Sequence, residues 1–120
     1  MRVLPKVLLG VLLLAPFVLA QEALRFDSSM GEVVIHPLGH GSLRIEVGET
    51  VIQVDPWSQV ADYGSQPAAD LVLVTHDHPD HFDPEALETL MGEGTTFVMD
   101  SRSAERFQGE AAVLANGDSA

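Results

Sequence analysis

Cysteine is missing altogether. No disulfide can form, so nothing staples a small core even if the chain reaches an oxidising compartment. Lipid attachment at a cysteine is excluded as well. Positive charge is scarce, with six Lys and Arg against 18 Asp and Glu. Beyond residue 20 only Arg25, Arg44, Arg102 and Arg106 remain; four positive charges against 18 carboxylates give residues 21–120 a formal charge of −14. That disfavours a nucleic-acid-binding surface, because phosphate neutralisation needs clustered Lys and Arg. A strongly acidic surface favours solubility and suits cations, although most of these carboxylates read as solvated face. Repeats and low-complexity tracts are also lacking. The 120 residues leave room for one modest domain.

The first twenty residues, "MRVLPKVLLGVLLLAPFVLA", read as a secretory signal peptide. Arg2 and Lys6 form the positive start, Val7 to Leu14 the apolar run, and Ala20 a small residue suited to cleavage before Gln21. The run is shorter than the roughly 20 apolar residues that cross a bilayer, and Pro5 and Pro16 flank it. The expectation is therefore an exported protein, periplasmic or secreted, with no membrane attachment after cleavage. It comprises a signal peptide at 1–20 and a domain at 21–120.

Within that domain, Val33 to Ile35 is a β-branched run. Leu43, Ile45 and Val47 alternate with Arg44 and Glu46, as in a half-buried strand. Gly48-Glu49 is a tight turn into a second hairpin strand through Val51, Ile52 and Val54, which Asp55-Pro56 ends. Trp57 to Ala69 reads as loop. "DLVLVT", residues 70–75, suits a strand buried on both faces. Asp83-Pro84-Glu85 starts a helix, with Asp as cap and Pro at the first position, and Ala86, Leu87, Leu90 and Met91 are its apolar stripe. Gly92 and Gly94 stop it. Thr95 to Met99 reads as strand, Ser101 to Phe107 as helix, and Ala111 to Leu114 as strand. A hairpin followed by alternating β and α units predicts a mixed α/β layer structure.

"THDHPDHFDP", residues 75–84, stands out, with three histidines and three aspartates in ten positions. Pro79 disfavours helix at His78, so His76 to His81 is an irregular loop at the end of a strand. His76, His78 and His81 supply imidazoles and Asp80 a carboxylate, donors suited to Zn²⁺, Fe²⁺ or Mn²⁺. Four potential ligands so close together fit two adjacent ions better than one. Asp77 would point away from the ions, orienting an imidazole or bonding nearby backbone. A His-rich solvated turn is the plain alternative, but the position right after an apolar strand argues against it.

At these residues "LVLVTHDHPDH" resembles the metallo-β-lactamase superfamily, whose signature is His-x-His-x-Asp-His. Upstream, "PLGHGSLRIEVGETVIQVDPW" is similar to the branch that includes L-ascorbate-6-phosphate lactonase. Downstream, "LANGDSA" resembles the strand and turn that close the first half of such a domain. The resemblance implies the N-terminal half of an αββα sandwich, a mixed β-sheet with helices on one face. It implies that His76 and His78 bind one metal ion and that Asp80 and His81 bind a second. Asp80 would also hold the attacking hydroxide as the catalytic carboxylate. The implied cofactor is a divalent metal, first of all two zinc ions, with Mn or Fe as alternatives. Asp55 matches an aspartate near the site, or else caps a turn before Pro56. His40 matches a turn histidine facing substrate, or else only bonds its own turn. His36 is read as a strand-end residue with no role.

The resemblance further implies a metal-dependent hydrolase of a small ester, lactone or phosphoester. Relatives carry later ligands (a histidine, a bridging aspartate and a last histidine), whereas no histidine follows His81 here. The expectation is thus a partial domain whose first sheet leaves an apolar face open for a missing C-terminal half. The alternative is a truncated, non-catalytic fragment that binds metal weakly. A flexible metal buffer is disfavoured, because such proteins spread their ligands along the chain.

Overall fold

The structure is a computed structural model and describes residues 21–120; the expected signal peptide at 1–20 lies outside them. Seven strands form one sheet in sequence order: β1 (Leu24–Ser28), β2 (Gly31–Gly39), β3 (Ser42–Val47), β4 (Thr50–Val54), β5 (Leu71–Val74), β6 (Thr96–Met99) and β7 (Ala112–Val113). The first four run antiparallel; β4 to β7 run parallel. Helix α1 (Pro84–Leu90) links β5 to β6, and α2 (Ser101–Arg106) links β6 to β7. This is the mixed α/β fold expected. Among the described residues no helix is long and apolar enough to cross a membrane.

The hairpin follows from local chemistry. Val47 pairs with Thr50, which leaves a two-residue loop, and Gly48 supplies its positive φ of 60°. Strand β1 was not foreseen: in "LRFDS" only Leu24 and Phe26 alternate with polar residues, and the strand is exposed along its whole length. It is held by pairing with β2 rather than by burial. His36 lies inside β2 rather than at a strand end, with Nε2 3.4 Å from a Glu46 carboxylate oxygen on β3. Pro37 is tolerated beside it because β1 pairs only with Gly31 to Ile35, so β2 is an edge at Pro37 and needs no donor there. A register shift between Pro37 and Gly39 then bends the strand into its turn.

The core lies on one face of the sheet. Val72, Val74, Phe97 and Met99 pack against Ala86, Leu87 and Leu90 of α1, with Phe82, Tyr63 and Ala69. Ala104 and Phe107, in and just after α2, pack on the same cluster, so both helices cover the same face. Burying side chains of this size contributes about 1.5–3 kcal/mol each. Helix α1 begins as its sequence dictates: Asp83 caps it, accepting from the Glu85 N–H, and Pro84 fills the first position. Asp100 caps α2 in the same way, accepting from Arg102 and Ser103 N–H.

Strand β5 differs from expectation. Val72 and Val74 are buried, while Leu71 and Leu73 stay partly exposed. By register they share the second face with Ile52, Val54, Leu43, Ile45 and Val98, all partly exposed. The apolar run reflects a strand buried on one face only, because both helices pack on the other. Neither helix packs on this second, apolar face.

Candidate metal centre

Strand β5 ends at Val74, and the chain then leaves the sheet through an irregular loop to α1. Several ties fix that loop. The His81 and Phe82 N–H groups donate to the His78 carbonyl at 2.9 and 2.7 Å. Phe82 is 2 % exposed and anchors the loop in the core. The Arg106 guanidinium stacks 4.8 Å over the Phe82 ring and donates to the Asp77 carbonyl at 2.8 Å. The Asp77 carboxylate lies 3.8 Å from the same guanidinium and takes no place in the histidine cluster. Asp83 accepts from both the N–H and the hydroxyl of Ser58, tying the loop to the segment after β4.

The imidazoles converge. The ring centroids of His76 and His81 are 4.0 Å apart, and those of His76 and His78 are 4.5 Å apart. Asp80 Oδ2 lies 3.4 Å from His81 Nε2 and 2.6 Å from His40 Nε2. The Asp80 carboxyl is held below its ordinary value of 3.8. A bond from its own backbone N–H is the main cause; residual desolvation opposes it, and the His40 bond and the His81 ring add to it. His76 thus lies ring to ring with His78 and His81, and Asp80 abuts His81, at the end of a strand, but His76 and His78 do not join the group of mutually close ligand atoms. Among the described residues, those offering ligand atoms all within 4.8 Å of one another are His40, Asp80 and His81.

Beneath the cluster sits Asp55, 3 % exposed at the end of β4. One carboxylate oxygen accepts from the Thr75 N–H at 2.7 Å. The other faces the Thr75 hydroxyl and His81 Nδ1, each at 2.7 Å. A carboxylate only accepts, so the Thr75 hydroxyl and the His81 Nδ1–H both donate to it. The Thr75 hydroxyl has spent its one proton and must accept from His76 Nδ1–H, 2.9 Å away. One buried carboxylate therefore sets two tautomers, one directly and one through Thr75. In the neutral form of each ring, the form that binds a cation, this leaves the lone pair on Nε2.

Sequence reasoning left His40 and Asp55 open. Each is a non-glycine residue with positive φ, 55° and 44°. Such backbone costs of order 1–3 kcal/mol and persists where surrounding structure enforces it, commonly at functional sites. The enforcement is visible here. His40 is in the two-residue turn between β2 and β3, flanked by Gly39 at φ 130°. Ser42, fully buried, donates its hydroxyl to the Asp55 carbonyl at 2.6 Å. Gly41 admits the His81 ring: a Cβ there would lie 2.8 Å from His81 Cε1. "GHGS" was thus the signal for a turn built around His81, but only three dimensions bring it to residue 81.

The donor set fits a borderline divalent cation. Neutral imidazoles with free Nε2 atoms and an ionised carboxylate are its usual ligands, and a buried carboxylate orienting the imidazoles is its usual support.

Comparisons agree with this chemistry. A family model described as Beta-lactamase superfamily domain matches residues 34–120. A UPF0173 metal-dependent hydrolase of Roseobacter denitrificans is 39% identical over 51 residues, which cover 37% of this chain and 22% of that protein. A UPF0173 metal-dependent hydrolase of Ignicoccus hospitalis is 33% identical over 75 residues, 57% of this chain and 32% of that one. Among solved structures, a Parabacteroides distasonis protein described as a metal-dependent hydrolase superposes with a TM-score of 0.76 at 38% identity. That match covers 81% of this chain and 44% of the other. Igni18, a metallo hydrolase from Ignicoccus hospitalis, superposes with a TM-score of 0.52 at 29% identity, covering 70% and 41%. The chain spans less than half the length of each of these relatives. With its site residues and strands β3 to β7 inside the matched stretch, the chain belongs to the beta-lactamase superfamily.

Proposed function

We propose that this protein is a metal-dependent hydrolase acting on a small ester, lactone or phosphoester. One observation carries the reading: His76, His78, Asp80 and His81 gather at the end of β5, with Asp55 and Thr75 engaging Nδ1 of two of them and so leaving Nε2 as the atom that faces a cation. In this reading His76 and His78 hold one cation and Asp80 and His81 a second, with zinc as the first expectation. Such cations, when bound, supply Lewis acidity toward water and the substrate oxygen. Asp80, whose carboxyl its surroundings hold below the ordinary value, would take the proton that the attacking water gives up as its oxygen bonds to the substrate. Asp55 and Thr75 keep the imidazoles aimed and hold their Nδ1 protons. A groove of about 370 Å³ opens at the carboxyl ends of β5, β6 and β7, where Thr75 and Asp100 contribute to its wall. None of His40, His76, His78, Asp80 and His81 lines this groove, which adjoins the cluster through Thr75.

The lactone option comes from the similarity of "PLGHGSLRIEVGETVIQVDPW" to the ascorbate-phosphate lactonase branch. Export through residues 1–20 belongs to the same proposal, and N-terminal sequencing of the mature protein tests it. The test of function is zinc titration followed by a panel of esters, lactones and phosphoesters. Turnover is expected only with zinc and is expected to vanish in Asp80→Asn. Tight zinc binding without turnover of any of the three classes refutes the hydrolase reading and leaves a cation-binding protein. Failure to bind zinc overturns both.

A further inference from the structure

We infer that His40 is itself a ligand to the cation held by Asp80 and His81, which gives that position three protein ligands, all between residues 40 and 81. The inference rests on reading the cluster as a cation site. It departs from the ligand pairs carried by the sequence signature, in which His40 has no part.

Geometry carries the assignment. Ligand atoms about 2.0–2.1 Å from a tetrahedral zinc ion lie roughly 3.3 Å from one another. His81 Nε2 and Asp80 Oδ2 are already 3.4 Å apart. His40 Nε2 is 2.6 Å from the same Oδ2 and within 4.8 Å of a ligand atom on His81. Opening the His40–Asp80 contact by about 0.7 Å, and bringing the His40 and His81 ligand atoms from within 4.8 Å to roughly 3.3 Å, completes the triangle, shifts within the reach of side-chain torsions. Three protein ligands and one open position is the composition of a catalytic zinc site, whereas Asp80 and His81 alone fall short of it. The open side is available, because the His40 side chain is 53% exposed against 19% for His81.

The turn that presents His40 is built for a fixed direction. His40 holds φ 55°, and the next two residues are engaged with the site: Gly41 lies against the His81 ring, and Ser42 bonds the Asp55 carbonyl. Asp55 in turn bonds His81 Nδ1. His40 and His81 are thus located by the same buried residue. A solvated turn histidine would need none of this. Trp57, with its ring centroid 5.3 Å from that of His40, further limits the directions the imidazole can take.

The competing role is a positioning one, in which His40 only donates a hydrogen bond to Asp80. The two roles differ in one proton. As a donor, His40 keeps hydrogen on Nε2. As a ligand, it presents the Nε2 lone pair to the cation, and that hydrogen passes through solvent to Nδ1.

Nitrogen-15 NMR of the 120-residue chain during zinc titration reads that proton directly. The expected result is that Nε2 of His40 and Nε2 of His81 move together to the position of metal-bound imidazole nitrogen. Two variants accompany it. His40→Ala is expected to weaken zinc binding more than about 100-fold, beyond the 10- to 100-fold typical of residues that only orient a ligand. His40→Gln can place its amide N–H where Nε2 stands and so keeps a donor for Asp80, but it lacks the imidazole lone pair, so it is expected to bind zinc as poorly as the alanine variant. Zinc binding with His40 still protonated at Nε2, or full rescue by His40→Gln, overturns the inference and leaves the cation-site reading intact. No zinc binding by the unaltered chain overturns both.

Discussion

Replacing Asp55 by asparagine should separate folding from cation binding. Asparagine has nearly the same shape and accepts φ 44° as readily as aspartate does. Its carbonyl oxygen can keep the bond from the Thr75 N–H. Its amide then replaces the oxygen that faces the Thr75 hydroxyl and His81 Nδ1, and it donates to both. The hydroxyl must turn its proton toward His76 Nδ1. Every bond can still be made, but His76 and His81 both change tautomer and carry hydrogen on Nε2. The loss in stability is the difference between charged and neutral bonds, about 1–2 kcal/mol in all. Zinc affinity should fall by about 10- to 100-fold, because each ligand nitrogen must first be freed of its proton. Asp55→Ala removes all three bonds and places alanine at positive φ, so it should cost about 3 kcal/mol or more. Urea denaturation reads the first quantity, and competition with a chromophoric chelator reads the second. Asparagine that binds zinc like wild type, or that destabilises as much as alanine, refutes the tautomer argument.

Gly41→Ala should push the His81 ring aside, since the new Cβ would lie 2.8 Å from Cε1. It should cost about 1–3 kcal/mol and lower zinc affinity, and unchanged affinity on titration would refute the close approach. Leu87→Ala, at a residue 1 % exposed in the core, should destabilise by about 2–5 kcal/mol in urea without altering the His81 environment. Burial pushes the Asp83 and Asp100 carboxyls up, but bonds to Asp83 from Ser58 and the α1 N–H groups, and to Asp100 from Ser103 and Arg102, more than offset this and leave both lowered. Their stabilisation is therefore complete above the ordinary value of 3.8 and is lost as pH falls through the lower folded values, so the urea midpoint should drop there. A midpoint that holds constant through that range would contradict the capping geometry.

Local chemistry made much of this architecture readable. The hairpin from Leu43 to Val54 announces itself through alternation and Gly48. Helix α1 does so through Asp83, Pro84 and its apolar stripe. The expected helix at Ser101 to Phe107 ends one residue sooner, and the last strand shrinks from Ala111–Leu114 to Ala112–Val113, both within the fraying of element ends. Strand β1 was not readable, because a strand held by pairing alone leaves no burial pattern. Strand β5 was over-read, because an apolar run records which residues avoid water without saying which faces are covered. At the site, spacing revealed the four residues of one loop. The contributions of His40 and Asp55 depend on left-handed backbone and on a turn 40 residues away from Asp80, and no local pattern encodes such a meeting.

The most direct measurement is anomalous X-ray diffraction from crystals grown with zinc. The account predicts anomalous density within the cluster, with Nε2 of His76 and of His81 each about 2.0–2.1 Å from a peak. Zinc density elsewhere on the acidic surface, with these two imidazoles still bonded only to protein, would contradict it.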